Sequence, residues 1–274
     1  MPQIHPSAIV ERTAELAEDV VVGPLCYVGP KVRLGRGTRL VTHVTVLGRT
    51  TLGAENVVWP YATLGGDPQD LKFHGEDSQL LIGDRNEIRE NVTLHKGTDN
   101  GGGVTRVGDD NLIMVGVHVA HDCTIGSHII LANGVQLAGH IVVEDHAAIA
   151  GVSAAHHFVT VGRYAYVGGM TRIVKDVPPY MVVEGNPARV RKLNATLLER
   201  CRFPYEQIER LRKAHRLLYG VADDGETRTV GRTAEAVVAL EREFPGDPHI
   251  AALLDAVRRS GYGVHGRYRE ALRE

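Results

Sequence analysis

An aliphatic residue returns at every sixth position through the first quarter of this chain. Ile4, Val10, Leu16, Val22, Val28, Leu34, Leu40, Val46, Leu52, Val58 and Leu64 keep that beat, and five of them precede glycine, as in Val22-Gly23 and Leu34-Gly35. A helix repeats near 3.6 residues and a plain strand at two, so neither produces a strict six. The pattern demands a coil that turns a corner every six residues, and three sides close a triangular turn of about eighteen. Glycine suits such corners, where positive φ is expected. The beat stops from Gly66 to Leu81, resumes at Ile82, Ile88 and Leu94, and stops again from His95 to Arg106. It returns in a new phase from Val107 through Val119, Ile125, Leu137 and Val161 to Ile173, weakened only at Ala155, and ends at Val177-Pro178-Pro179. Stacked coils bury one aliphatic residue per side and hydrogen-bond to the coils above and below.

Past Asn186-Pro187 the spacing becomes helical, around 205–219, 231–244 and 248–259. Two domains are expected: a solenoid over 1–187 with excursion loops at about 66–81 and 95–106, and a helical domain over 188–274 that caps its open end. Charged residues make up 23% of the chain and the net charge is -2, without the basic excess of a general nucleic-acid binder. No run approaches the roughly 20 apolar residues of a spanning helix, and the start MPQIHPSAIV lacks a signal pattern, so no stable membrane insertion and a cytoplasmic location are expected. Cys26, Cys123 and Cys201 are odd in number and far apart, which suits a reducing compartment and offers no close pair for zinc.

The repeat alone places the chain among hexapeptide acyl- and acetyltransferases. Its interruptions narrow the resemblance: Gly65-Gly66-Asp67-Pro68-Gln69-Asp70-Leu71-Lys72, Ile82-Gly83-Asp84-Arg85-Asn86, Thr93-Leu94-His95-Lys96-Gly97-Thr98, the glycines at 101–103 and Asp110-Asn111-Leu112-Ile113-Met114. To these are added His118-Val119-Ala120-His121-Asp122-Cys123, Leu137-Ala138-Gly139-His140, His156-His157-Phe158 and Asp176-Val177-Pro178-Pro179-Tyr180. In this order they resemble the acyl carrier protein:UDP-N-acetylglucosamine O-acyltransferases of lipid A synthesis, over nearly all of the chain and more weakly in the last fifty or so residues. The resemblance implies a mainly β fold, a left-handed parallel β-helix followed by a small α-helical domain. It also implies a homotrimer whose active sites lie between subunits.

Attack of a hydroxyl on a thioester needs a base, and neutral histidine is the usual one near pH 7. Register picks among fourteen histidines, because residues eighteen apart stack on adjacent coils. His121, Gly139 and His157 form one column, with His140 and His156 one position away. Each of these also has a structural reading, a surface histidine or a plain corner glycine. The resemblance implies His121 as general base, Asp122 as its orienting partner and the Gly139 N–H as oxyanion donor. Adjacent strand residues diverge, so a His121–Asp122 pair requires a corner conformation. Similarity to family site residues further implies substrate contacts for Gln69, Asp70, Lys72, His95, His118, His140, His156, His157, Asn194 and Arg200, and an acyl-chain groove near Tyr166, Gly168, Gly169 and Met170. No resident cofactor or metal is expected; the 4′-phosphopantetheine arrives on the acyl carrier protein.

Two departures stand out. Most relatives carry glutamine where this chain has His157, and a frequent Arg-Arg pair appears as Arg200-Cys201-Arg202. Between Arg189 and Arg216 nine Lys or Arg face three Glu, a local balance of +6 suited to steering an acidic carrier, although a solvated helix face has the same composition. Alternatives remain at this point. A later N-acyltransferase of the pathway normally carries an extra N-terminal domain, whereas the repeat here begins at Ile4. A 3-amino sugar acceptor stays open, a solenoid carbonic anhydrase needs three converging imidazoles, and a pure scaffold would be indifferent to the loss of His121.

Overall fold

The computed structural model describes residues 1–220 and 230–272; residues 221–229 and 273–274 of the expected helical domain lie outside the described residues. The chain is a left-handed parallel β-helix with three sheets of eleven, nine and eight strands, beginning with Gln3–Ile4, Ile9–Val10 and Glu15–Leu16 respectively. Most strands are two residues long and pair in parallel with the strand one coil on, for example Leu112↔Ile130, His118↔Gln136 and Thr124↔Val142. The six-residue aliphatics point inward, and Leu40, Leu64, Ile88, Leu94, Ile113, Leu131 and Leu137 are fully buried in one continuous core.

The glycines that follow these aliphatics serve a different purpose from the one their sequence suggests. Gly65 apart (φ 78°), positive φ falls instead on other corner residues, many of them not glycine: Asp122, His128, His140, Val152, Phe158 and Met170 all lie between 56° and 66°. Gly23 has no positive φ; a Cβ there would stand 1.8 Å from the Val41 carbonyl oxygen of the next coil. Close stacking of coils, not turn conformation, excludes a side chain at that position.

Both interruptions of the beat open at the corner between the second and third sheets. The first loop spans 67–78, between strands Thr63–Gly66 and Gln79–Ile82, and the second spans 96–103, between Thr93–His95 and Val104–Val107. Each is shorter than the sequence suggests because the returning strands extend toward the corner and pair with each other over four residues, Gln79↔Val104 to Ile82↔Val107.

Strand Met181–Glu184 continues the first sheet and pairs antiparallel with Arg189–Leu193, so the division expected at residue 187 falls inside a hairpin. Helices α1 (Ala195–Arg200), α2 (Tyr205–Tyr219), α3 (Val230–Glu243) and α4 (Pro248–Tyr262) follow. Helix α4 opens on Pro248, with the Asp247 carboxylate accepting from the N–H groups of His249 and Ile250 at 3.0 Å each. Ile208, Leu211, Leu218, Leu240, Ile250, Leu253 and Leu254 pack with Tyr180, Met181 and Leu193 into a second core. The helices thereby cover the end of the prism, where an unpaired edge would otherwise stand open.

Leu131 sits between Ile113 and Ile149 in the first sheet with no exposed surface. Leu131→Ala is expected to destabilise the prism by about 2–5 kcal/mol, read as a lower urea midpoint at unchanged slope.

Candidate active site

The corner that releases both loops also carries the histidine column. His121 opens the turn after strand His118–Val119, and Asp122 follows it at φ 60°. That left-handed step turns two neighbouring side chains toward each other, and His121 Nδ1 lies 2.7 Å from Asp122 Oδ2. Asp122 is buried. Its Oδ1 accepts from the Thr98 N–H at 2.8 Å and its Oδ2 from the Thr98 hydroxyl at 2.6 Å, while its own N–H donates to Thr105 Oγ1 at 2.8 Å. Burial by itself would raise the carboxyl pKa, but hydrogen bonds from His121 and Thr98 outweigh it and hold the group below the ordinary carboxylate range. An ionised Asp122 only accepts, so the His121 proton sits on Nδ1 and Nε2 is left as a proton acceptor.

The second loop is built to approach this carboxylate. A Cβ on Gly101 would fall 1.9 Å from Asp122 Cγ, and Gly102 and Gly103 take φ of 91° and 77°. This explains the triple glycine. One coil on, a Cβ on Gly139 would lie 2.6 to 3.1 Å from three atoms of the His121 ring, so the imidazole occupies the space that a side chain would fill. Among the described residues the Gly139 N–H takes no part in the coil-to-coil backbone ladder. His140, at φ 63°, packs edge-on to His121 with centroids 5.1 Å apart, stacks on Phe158 at 4.5 Å, and brings Nε2 to 3.8 Å from Asp122 Oδ2.

His118, in the same coil as His121, and His95, one coil below, complete the cluster, edge to face at 5.0 Å. Desolvation, followed by the neighbouring His95 and His121, pushes His118 down to about 4, and its Nδ1 pairs with the Thr93 hydroxyl at 2.8 Å. Burial likewise lowers His95, which reaches the backbone of Asp67 in the first loop. Both rings are therefore neutral near pH 7.

Other expected site residues are not gathered here. Gln69 and Lys72 are exposed on the first loop, and Asp70 is used to shape it, accepting from the Lys72 N–H at 3.0 Å. His156 and His157 are exposed and contact each other with centroids 5.6 Å apart. Asn194 is buried and donates to the Tyr164 carbonyl at 2.8 Å, joining hairpin to prism, and Arg200 is exposed at the end of α1. Tyr166 and Gly169 are exposed on the first sheet and its following corner, as is Met170 at 79%. Within one chain they lie on a different edge from His121. Sequence reasoning assigned no role to Thr98, Thr105 or Phe158. Lys96 was also missed: it meets Asp67 at 2.9 Å and lies over the Phe73 ring, tying the first loop down.

His121, Asp122 and His140 hold ligand atoms within 4.8 Å of one another, a spacing that could receive a metal ion. Asp122 is already given to Thr98 and His121, and the trio offers two imidazoles where a carbonic-anhydrase centre uses three. The His121 side chain retains 8% of its surface, on the outer edge of the prism. A cavity of about 870 Å³ lies elsewhere, between the third sheet and the helical domain.

Residues 105–139 match the family model of bacterial transferase hexapeptide repeats, so prism and corner define a transferase of the hexapeptide class. Residues 176–265 match the model described as UDP N-acetylglucosamine O-acyltransferase, domain 2. Among solved structures, the UDP-N-acetylglucosamine acyltransferase LpxA of Bacteroides fragilis 9343 is 36% identical, with 93% of this chain and 97% of that one covered at a TM-score of 0.87. LpxA of Acinetobacter baumannii is 38% identical (93% and 96% covered, TM-score 0.85), and that of Moraxella catarrhalis is 39% identical (93% and 96%, TM-score 0.84). The chain belongs to the UDP-N-acetylglucosamine O-acyltransferase family and is an acyltransferase.

Buried neutral histidines make the fold acid-sensitive with a defined sign. The unfolded chain protonates His118 as pH falls through 6.5, whereas the folded chain resists until about 4, so stability drops across that window. Asp122 adds a further loss as pH falls through its depressed folded value. Urea midpoints measured from pH 7 to 4 should fall, and His118→Gln should flatten part of the slope.

Proposed function

We propose that the chain transfers a 3-hydroxyacyl group from acyl carrier protein to the 3-hydroxyl of UDP-N-acetylglucosamine, the first step of lipid A synthesis, with His121 as general base. The observation that carries this reading is the His121–Asp122 pair with the Gly139 backbone packed against the ring. Nε2 takes the proton as the sugar oxygen attacks the thioester carbon and a C–O bond forms. The oxyanion accepts from the Gly139 N–H. Collapse breaks the C–S bond, and the departing thiolate takes the proton from the imidazolium. Asp122 stabilises that cation and holds the tautomer throughout. The thiol belongs to the 4′-phosphopantetheine arm of the carrier, so the reaction draws on no resident cofactor or metal.

His95, His118 and His140, with His156 and His157 farther out, line the acceptor side in this reading, and the neutral rings of His95 and His118 suit uncharged hydroxyls. Gln69, Asp70 and Lys72 hang above the same corner on the first loop and are assigned to the nucleotide-sugar. An edge of a lone prism gives a shallow site, which is the argument for a homotrimer. In that assembly the cleft closes against a neighbouring subunit, and Tyr166, Gly169 and Met170 of one chain are brought toward the corner of another. Carrier docking is supported by charge: Arg189, Arg191, Lys192, Arg200, Arg202 and Arg216 are exposed and form no ion pair among the described residues. Such a field attracts an acidic partner. Asn194 fits this scheme only through the hairpin that it anchors. Among the described residues no helix is long and apolar enough to cross a membrane, in keeping with work in the cytoplasm on water-soluble substrates.

Transfer should be measured with UDP-N-acetylglucosamine, its 3-amino analogue and a panel of acyl carrier proteins. His121→Ala should lower kcat by about 10²–10⁴, and Asp122→Asn by less, with little change in the KM for the sugar. Equal rates for wild type and His121→Ala would remove the base, and preference for the amine would change the product from ester to amide. Sedimentation tests the trimer. Gly139→Ala, which drives a methyl group into the ring, should abolish turnover even where the protein still folds.

A further inference from the structure

We propose that Arg269 is a positioning residue for the acyl-transfer centre, reaching from the end of the chain to hold the Gly139–His140 corner against His121. The proposal rests on the reading above that His121 and Gly139 form the reacting centre.

After α4 the chain does not stay with the helices. It turns back as a strap that lies along the prism. Asp176 N–H donates to the Gly266 carbonyl at 2.8 Å, and the Asp176 carboxylate accepts from the N–H groups of Tyr268 at 2.8 Å and Thr160 at 2.7 Å. Arg267 is 6% exposed; it donates to the Val174 carbonyl at 2.7 Å and pairs with Glu270 at 2.5 Å. Ser260 Oγ donates to the Gly266 carbonyl at 3.1 Å. These contacts anchor the strap without involving the histidines. They deliver Arg269, in the short helix α5 (Tyr268–Ala271), to the carbonyl oxygen of His140, where its Nη1 donates a hydrogen bond.

The corner it grips is already fixed on its other sides. Cys123 Sγ donates to the Ala138 carbonyl at 3.2 Å, and the His140 N–H donates to the His121 carbonyl at 3.0 Å. Arg269 therefore closes a set of bonds around residues 138–140, whose backbone carries the proposed oxyanion donor and whose Gly139 touches the His121 ring. A guanidinium held on a carbonyl in partial burial makes a directional, charge-assisted bond. Loss of the guanidinium leaves that carbonyl without this donor and lets the corner relax, which moves the donor relative to the base. Displacement by a fraction of an ångström at such a place is felt in kcat and not in substrate affinity.

The test compares wild type, Arg269→Ala and Arg269→Lys as full-length proteins. Steady-state transfer between acyl carrier protein and UDP-N-acetylglucosamine should show kcat of Arg269→Ala reduced on the order of ten- to hundredfold. The KM for the sugar should stay within about twofold, the melting temperature should stay near wild type because Arg267 and Asp176 still hold the strap, and Arg269→Lys should recover much of the rate, since it restores one cationic donor. Nitrogen-15 NMR of the His121 ring and the Gly139 amide reads the same displacement without turnover, and both signals should move in Arg269→Ala and return in Arg269→Lys. The proposal is overturned if Arg269→Ala keeps wild-type kcat and wild-type signals, or if its activity falls only in step with its melting temperature and lysine restores neither. Absence of turnover in the wild type would sink the proposed reaction instead, and the NMR comparison would still decide the role of Arg269.

Discussion

The structure depends on stacking at a fixed interval: each coil hydrogen-bonds to the next at the spacing of neighbouring strands, about 4.8 Å, and buries one aliphatic residue per side. This regularity turns sequence distance into spatial position. Residues 121 and 139 become contacts because they occupy the same place in successive coils, not because either has a special affinity for the other. Corners are where the regular ladder relaxes, and at one of the three corners the chain inserts two loops and gathers four histidines. The second loop matters most there, since it supplies Thr98 to the buried carboxylate.

Electrostatically, the cluster is arranged around one negative charge. A buried carboxylate is tolerable only with hydrogen bonds to its oxygens, and Asp122 has three from Thr98 and His121. Two neighbouring imidazoles are kept uncharged by desolvation. The result is a histidine oriented by an anion, with two neutral imidazoles beside it.

The period of six made the prism legible, and its two lapses announced the loops, although strand extension at Gln79–Leu81 and Val104–Arg106 made those loops shorter than the lapse suggests. The His121–Asp122 pair was legible with a condition, a corner conformation, and the positive φ at Asp122 meets it. What could not be read was contact between segments without a common register. Thr98 reaches Asp122 across a loop of irregular conformation, and Arg269 arrives from a segment with no period at all. Glycine misled in one respect, because positions such as Gly23 answer to the backbone of the coil above and not to their own dihedral angles.

The constant coil height also constrains how such a chain can change its length. Removing one residue from a strand would turn every later aliphatic residue away from the axis, whereas removing a whole circuit would leave the inward rhythm and every corner in phase. Substantial variation in length is therefore confined to two kinds: complete circuits, which lengthen or shorten the prism, and outgrowths from a corner, which leave its frame untouched. The loops at 67–78 and 96–103 are of the second kind, so the edge that carries the histidines is also the one at which this molecule can acquire new shape without disturbing the frame that supports it.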